Sequence, residues 1–366
     1  MNLILFAAGL AALIVGASLL VRGASRLALS LGISPLVVGL TVVALGTSSP
    51  EVAVSVGAAL DGRTDLAVGN VVGSNIFNVL FILGVSALIA PLIVQVQLIR
   101  QEVPVMIGAS VLLIALCGGG ALTRLESGFL LALLAAYVTL LVVQSRRASA
   151  AEQAQITPDV VRRGDSATWD RHRGVQAMLV AAGLILLVLG SDWLVTAAVA
   201  FARALGVSDT VIGLTIVAAG TSLPEVAASV TAALKGERDI AVGNVVGSNT
   251  FNILGCLGLA GLVAPGGLPV AAAILNFDLW VMLAVALACL PVFFTGREIA
   301  RWEGALLLGY YVAYTAYVVL AAQQHDALPL FSQALLWFAV PLTLLGIGVS
   351  LHSSRRASSG SQDRMR

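Results

Sequence analysis

Twice in this chain a glutamate stands inside a long apolar stretch, directly behind a proline: Gly46-Thr-Ser-Ser-Pro-Glu51 and Gly220-Thr-Ser-Leu-Pro-Glu225. Composition decides what the apolar stretches are. The 366 residues are 59% hydrophobic and only 11% charged, whereas a soluble domain carries about 25% charged residues. Apolar runs of roughly 20 residues recur, the length at which a helix crosses a bilayer core. Transmembrane barrels show short alternating segments instead. The chain therefore reads as an all-α integral membrane protein. In such a chain a glutamate within a span marks a functional site by default, because its charge is costly in hydrocarbon.

The two motifs belong to a duplication. Residues 34–84 align with 208–258 at a constant offset of 174 without a gap, and 35 of the 51 positions are identical. The shared residues include Gly-Thr-Ser-x-Pro-Glu and Gly-Asn-Val-Val-Gly-Ser-Asn-x-Phe-Asn. Apolar composition alone does not reproduce Pro, Glu and Asn at fixed spacing, so this is an internal repeat.

The chain in order predicts spans near residues 3–21, 35–60, 66–90, 103–117, 127–143, 175–195, 209–234, 240–264, 279–294 and 304–322. Residues 328–351 are apolar and long enough for an eleventh. The resulting organisation is a first five-helix repeat over 1–143, a cytoplasmic linker over 144–173 and a second repeat over 174–322. The extra helix and a polar cytoplasmic tail over 352–366 follow. Five spans separate equivalent points of the copies. An odd number sends the second copy into the membrane from the opposite side, so two inverted-topology repeats are expected. That architecture places ion sites near the midplane at discontinuous helices, and broken helices are expected in spans 2/3 and 7/8.

With the N-terminus outside, 17 of the 20 basic residues fall on inner loops or the tail, leaving only Arg63, Arg124 and Arg203 outside. The positive-inside rule favours that orientation in a cell membrane. Residues 1–3 carry no basic group ahead of the apolar run, so an uncleaved first helix is expected. A net charge of +1 gives no reason to expect nucleic acid. Cys117, Cys256 and Cys289 lie far apart in apolar runs and read as packing residues. The three histidines lie in loops or the tail and receive no role.

Each motif residue has a chemical reason to be there. Pro50 lacks an amide hydrogen and clashes with the carbonyl of Gly46, four residues back, and Pro224 does the same to Gly220. Such a carbonyl is tolerated at membrane depth only if protein, water or an ion satisfies it. Thr47, Ser48, Thr221 and Ser222 add hydroxyls beside the breaks. In the second element, helical spacing puts Asn70, Ser74 and Asn78 on one face, with Asn75 about 100° away; Asn244, Ser248, Asn252 and Asn249 repeat this. Asn70, Asn75, Asn244 and Asn249 read chiefly as helix–helix contacts. Two carboxylates neutralise one divalent ion, and the hydroxyl and amide oxygens can complete a shell of six to eight, as calcium takes. The absence of His, Cys and Met from both motifs argues against softer metals.

These motifs resemble the sodium/calcium exchanger family of the cation/calcium antiporter superfamily, in its prokaryotic form. The resemblance covers both repeats and the ten-span plan. It implies that Glu51 and Glu225 are the central calcium ligands and that Thr47 and Thr221 lend backbone carbonyls. Ser48, Ser222, Ser74 and Ser248 would line sodium sites, and Asn78 and Asn252 match the last polar positions. Some members are acidic at one of those last positions, whereas both are amides here. The eleventh span also exceeds the family plan.

The function expected is therefore secondary antiport of Ca2+ against Na+ by alternating access, with spans 1 and 6 sliding across the core. The alternative counter-ion is H+. A cation channel would pass calcium without a counter-ion, and a scaffold would not need paired intramembrane glutamates. No enzymatic activity and no cofactor are expected, and a monomer in the lipid bilayer is the expected state.

Overall fold

The structure is a computed structural model that describes residues 2–155, 172–205, 218–341 and 343. It is almost entirely helical. Helix α1 is Asn2–Leu31, and α2 (Pro35–Thr47) and α3 (Ser49–Leu60) form a pair bent by 45°. They are followed by α4 Thr64–Ile89 and α5 Leu98–Cys117, then α6 Arg124–Gln155. The second half holds α7 Arg173–Ala204, α8 Ala218–Gly220 and α9 Leu223–Leu234. Next come α10 Arg238–Val263, α11 Ile274–Phe294, α12 Arg301–Ala322 and α13 Leu328–Trp337. Among the described residues eight helices are long and apolar enough to cross a membrane, and the bent α2–α3 pair makes a ninth. Part of expected span 7, residues 209–217, and residues 342 and 344–351 of the expected eleventh span lie outside the described residues. The tail from 352 and residues 156–171 lie outside them too.

The repeat segments occupy the centre. α3 packs on α4, α9 on α10, α2 on α10 and α9 on α4. Outside them α6 packs on α10, α12 on α4 and α5 on α11, while α1 and α7 pack along each other and against α9. The α1–α7 contact is backbone to backbone. A methyl group on Gly9 would lie 2.8 Å from the Gly190 carbonyl oxygen, and one on Gly183 2.6 Å from the Leu20 nitrogen. Gly16 meets Gly183, and Gly23 meets Val180, so the two helices run antiparallel. Small residues let spans approach this closely and maximise dispersion contacts, which drive helix association in lipid. The offset of 174 continues here, since Gly9 corresponds to Gly183 and Gly16 to Gly190.

Four short strands join the halves. β1 (Leu92–Ile93) pairs antiparallel with β4 (Glu298–Ile299), and β2 (Ala121–Leu122) with β3 (Leu268–Pro269). α5 separates β1 from β2, and its 20 residues extend about 30 Å at ~1.5 Å each. The two strand pairs therefore sit at opposite ends of the bundle. Acid–tyrosine contacts fasten the outer helices: Tyr137 of α6 donates to Glu102 of α5 at 2.7 Å, and Tyr314 of α12 donates to Asp278 of α11 at 3.0 Å.

Three expectations need correcting. Spans 3 and 8 are not broken: α4 and α10 are continuous, and each absorbs its irregularity as a π-helical turn, at Asn78–Leu83 and Asn252–Cys256. The stretches around those turns contain no proline to remove a backbone donor, so nothing forces a break. The first helix is longer than residues 3–21, and Arg22 and Arg26 lie on it rather than in a loop. It ends only where Gly32 takes φ of +63° and Pro35 begins the next helix, a glycine stop of the usual kind. The helix of span 5 likewise continues to Gln155 and takes up part of the expected linker.

Candidate cation site

The two breaks are helix starts. Ser48 ends α2 with ψ near 8°, and α3 begins with Ser49, Pro50 and Glu51 as its first three residues. Ser222, Leu223, Pro224 and Glu225 repeat this at α9. Proline is tolerated in a first turn, where its missing amide hydrogen would have had no intrahelical partner. The glutamate three residues after the cap stands at the positive end of the helix dipole, which favours a carboxylate. Both glutamates are completely buried.

Ser-x-x-Glu at a helix start is the sequence of a capping box, yet neither serine caps its own helix. The serines reach across to the other copy. Ser48 Oγ donates to Glu225 Oε1 at 2.9 Å, and Ser222 Oγ donates to Glu51 Oε1 at 2.8 Å. The Ser74 hydroxyl lies 3.4 Å from the same Glu51 oxygen and 3.1 Å from Ser222. The first turns of α3 and α9 thus stand side by side in the centre of the bundle.

The carbonyls freed by the prolines are satisfied by protein. Gly46 O accepts from Ser49 Oγ at 2.8 Å. Gly220 O accepts from Ser191 Oγ of α7 at 2.6 Å. Ser49 is replaced by Leu223 in the second copy, and Ser191 by Ala17 in the first. The two copies therefore solve the same backbone problem with different hydroxyls.

Four asparagines close the space beside the glutamates. Asn75 Nδ2 donates to the Asn249 backbone carbonyl and Asn249 Nδ2 to that of Asn75, both at 3.2 Å. Asn78 Nδ2 donates to Asn249 Oδ1 at 3.0 Å, and Asn252 Nδ2 donates to Asn75 Oδ1 at 3.1 Å. Each amide orientation is fixed by the next, because every Nδ2 faces an oxygen. The copies differ in that Asn75 Nδ2 also lies 3.6 Å from the Met282 sulfur, and in the second acceptor position. Asn252 Oδ1 is met by the Cys256 thiol at 3.5 Å, whereas Asn78 Oδ1 has no partner.

Among the described residues six buried side-chain oxygens lack a hydrogen-bond partner, and four lie here: Glu51 Oε2, Glu225 Oε2, Asn78 Oδ1 and Ser248 Oγ. Buried polar atoms are normally paired, so a cluster of exceptions calls for an explanation such as an ion. Oxygen donors with two carboxylates suit a hard cation. No three His, Cys, Asp or Glu side chains gather among the described residues, so any shell around the two glutamates draws on hydroxyl, amide or backbone oxygen.

Of the ten residues expected at the site, Glu51, Ser222 and Ser74 form one hydrogen-bonded group and Glu225 with Ser48 a second. Ser248 is buried without a partner. Asn78 and Asn252 sit in the amide ring rather than on the carboxylates. Thr47 and Thr221 turn their hydroxyls to Asn244 and Asn70. Sequence reasoning assigned Asn70, Asn75, Asn244 and Asn249 mainly to helix contacts. Their fixed place beside the glutamate motif in both copies was the available signal.

The family model described as sodium/calcium exchanger protein matches residues 1–143 and 175–320. CaxA of Alkalimonas amylolytica is 41% identical over 315 residues, covering 84% of this chain and 95% of that protein. The sodium/calcium exchanger MaX1 of Methanosarcina acetivorans is 36% identical over 343 residues, covering 86% and 97%. A solved structure of the sodium–calcium exchanger NCX_Mj, soaked with neither Na+ nor Ca2+, matches with a TM-score of 0.73 at 30% identity, covering 87% of this chain and 98% of that one.

Proposed function

This chain belongs to the sodium/calcium exchanger protein family, and we propose that it exchanges Ca2+ for Na+ with the calcium held between Glu51 and Glu225. It is a multi-pass membrane protein of a cation/calcium antiporter type. The observation that carries the finer reading is the pair of unpartnered carboxylate oxygens, Glu51 Oε2 and Glu225 Oε2, inside a shell of hydroxyls donated by opposite copies. Two buried negative charges need a counter-charge, since an uncompensated buried carboxylate is strongly unfavourable. One divalent cation supplies it, and sodium ions compete for the same oxygens. Occupancy by one ion excluding the other is what makes the protein an antiporter rather than a leak. Ser74, Ser222, Ser48 and Ser248 are the hydroxyls we assign to sodium, with Asn78 Oδ1 as the adjoining amide oxygen. We assign the N-terminus to the outside from the basic-residue asymmetry, and the protein to the plasma membrane.

Alternating access is assigned to α1 and α7, which touch each other through glycines and would slide together across the core. A second reading replaces Na+ with H+. It is favoured by the amides at both Asn78 and Asn252, which leave only two carboxyl groups in the site, and by carboxylate oxygens that a proton can satisfy as well as a metal. Calcium uptake into proteoliposomes under an imposed sodium gradient tests the first reading. Uptake driven by sodium supports it, and uptake that responds to a pH gradient but not to sodium replaces it with the second.

A further inference from the structure

Asn70 and Asn244 do something more specific than hold helices together. Asn244 Oδ1 accepts from the Thr47 hydroxyl at 3.1 Å. Its Nδ2 donates to Ser229 Oγ at 2.9 Å and lies 3.4 Å from the Glu225 backbone carbonyl. Asn70 repeats the arrangement. Its Oδ1 is 3.4 Å from the Thr221 hydroxyl, and its Nδ2 is 3.1 Å from Ser55 Oγ and 3.4 Å from the Glu51 carbonyl. The Ser55 hydroxyl spends its proton on the Ala67 carbonyl at 3.3 Å. Its lone pair must therefore receive the amide N–H, which fixes which way Asn70 points.

Each asparagine thus grips the glutamate-bearing helix of its own copy with the amide nitrogen. With the amide oxygen it reads the threonine beside the break of the other copy. A threonine hydroxyl has one proton and two lone pairs. The Thr47 and Thr221 hydroxyls stand within hydrogen-bonding reach of the Glu225 and Glu51 carboxylates respectively, and Thr47 Oγ1 also lies 3.4 Å from the Ala44 carbonyl of its own helix. A hydroxyl there could turn its proton onto the carboxylate and compete with a cation for the same oxygen. With the proton engaged by the asparagine, the hydroxyl presents only lone pairs to the site.

We propose that Asn70 and Asn244 are positioning residues that hold the Thr221 and Thr47 hydroxyl protons away from the carboxylates, keeping both threonine oxygens ready to face a cation. This rests on the reading that the site between Glu51 and Glu225 takes calcium. It is a role in affinity, exerted through the threonines and across the boundary between the copies.

A double-mutant cycle separates this role from simple packing, because residues that act through one another give non-additive effects. Calcium binding to the purified full chain in detergent micelles is measured by calorimetry for wild type, Asn244→Leu, Thr47→Val and the double variant. Each single change is expected to weaken binding about tenfold, of the order of one hydrogen bond, and the double variant is expected to be no weaker than either. Thr47→Ser, which keeps the hydroxyl, is expected to bind like wild type. A double variant near the product of the two losses, about a hundredfold by additivity, overturns the inference while leaving the calcium reading intact. Thr47→Val binding as tightly as wild type overturns it as well, and needs no asparagine variant to fold. A wild-type protein that binds no calcium overturns the site reading and this inference together.

Discussion

Ser191 donates to the Gly220 carbonyl at 2.6 Å, and this bond is the link by which the long helix α7 holds the break carrying Glu225. A buried carbonyl left without its donor costs about 1–3 kcal/mol. Ser191→Ala should therefore lower the stability of the folded protein by that amount in thermal or denaturant unfolding in micelles. Ala17→Ser, at the equivalent position of α1, should change it little, because Gly46 O is already served by Ser49. A Ser191→Ala protein as stable as wild type would mean that another group takes over the Gly220 carbonyl.

Glu51→Gln keeps the size of the side chain and removes its charge. Calcium exchange in proteoliposomes should fall to background, with the protein still monodisperse and folded. Glu225→Gln should do the same, since each glutamate is met by the other copy's serine. Exchange at the wild-type rate in either variant would remove these carboxylates from the mechanism.

Asn252→Asp tests the amide ring. Asn252 Nδ2 donates to Asn75 Oδ1 at 3.1 Å. An aspartate carboxylate sets acceptor against acceptor there, and the lost bond plus an exposed acceptor costs about 1–3 kcal/mol. A protonated aspartate restores the donor. The stability deficit relative to wild type should therefore be largest at high pH and shrink as pH falls. The added charge should also change the sodium dependence of exchange. A deficit that does not vary with pH, together with unchanged sodium dependence, would show that the ring tolerates the carboxylate.

Gly183→Val probes the α1–α7 seam. A single methyl on Gly183 already lies 2.6 Å from the Leu20 nitrogen and 2.8 Å from the Gly16 carbonyl oxygen. Neither backbone can yield, and overpacking of this kind costs about 1–3 kcal/mol or more. Lower unfolding temperature and poor folded yield are expected. Gly309→Ala is the control, because nothing stands within 4 Å of a methyl there.

The breaks at Pro50 and Pro224 could be read from the chain because proline acts on its own backbone, four residues away. The duplication was legible because Asn, Pro and Glu recur at one spacing. What receives the Gly220 carbonyl was not legible, since Ser191 lies 29 residues earlier and its counterpart is Ala17. The capping sequence Ser48-Ser-Pro-Glu51 would even mislead, because its local partners are available and the fold trades them between copies. Asn70 and Asn244 looked like spacers because their polar partners are a threonine in the other half and a serine on another helix. A contact made only when two remote segments meet leaves no trace in the order of residues. The breaks expected in spans 3 and 8 failed for a related reason: polar side chains that satisfy one another across the bundle need no opening in their own helix.

The strand pairs β1–β4 and β2–β3 tie the halves at both rims of the bundle. A body stitched at top and bottom cannot gape like a pair of jaws about a hinge at either end. On the reading proposed above, uncovering the buried carboxylates is then a matter of shear rather than of a hinge. The glycine-faced pair α1–α7 lies outside both stitches.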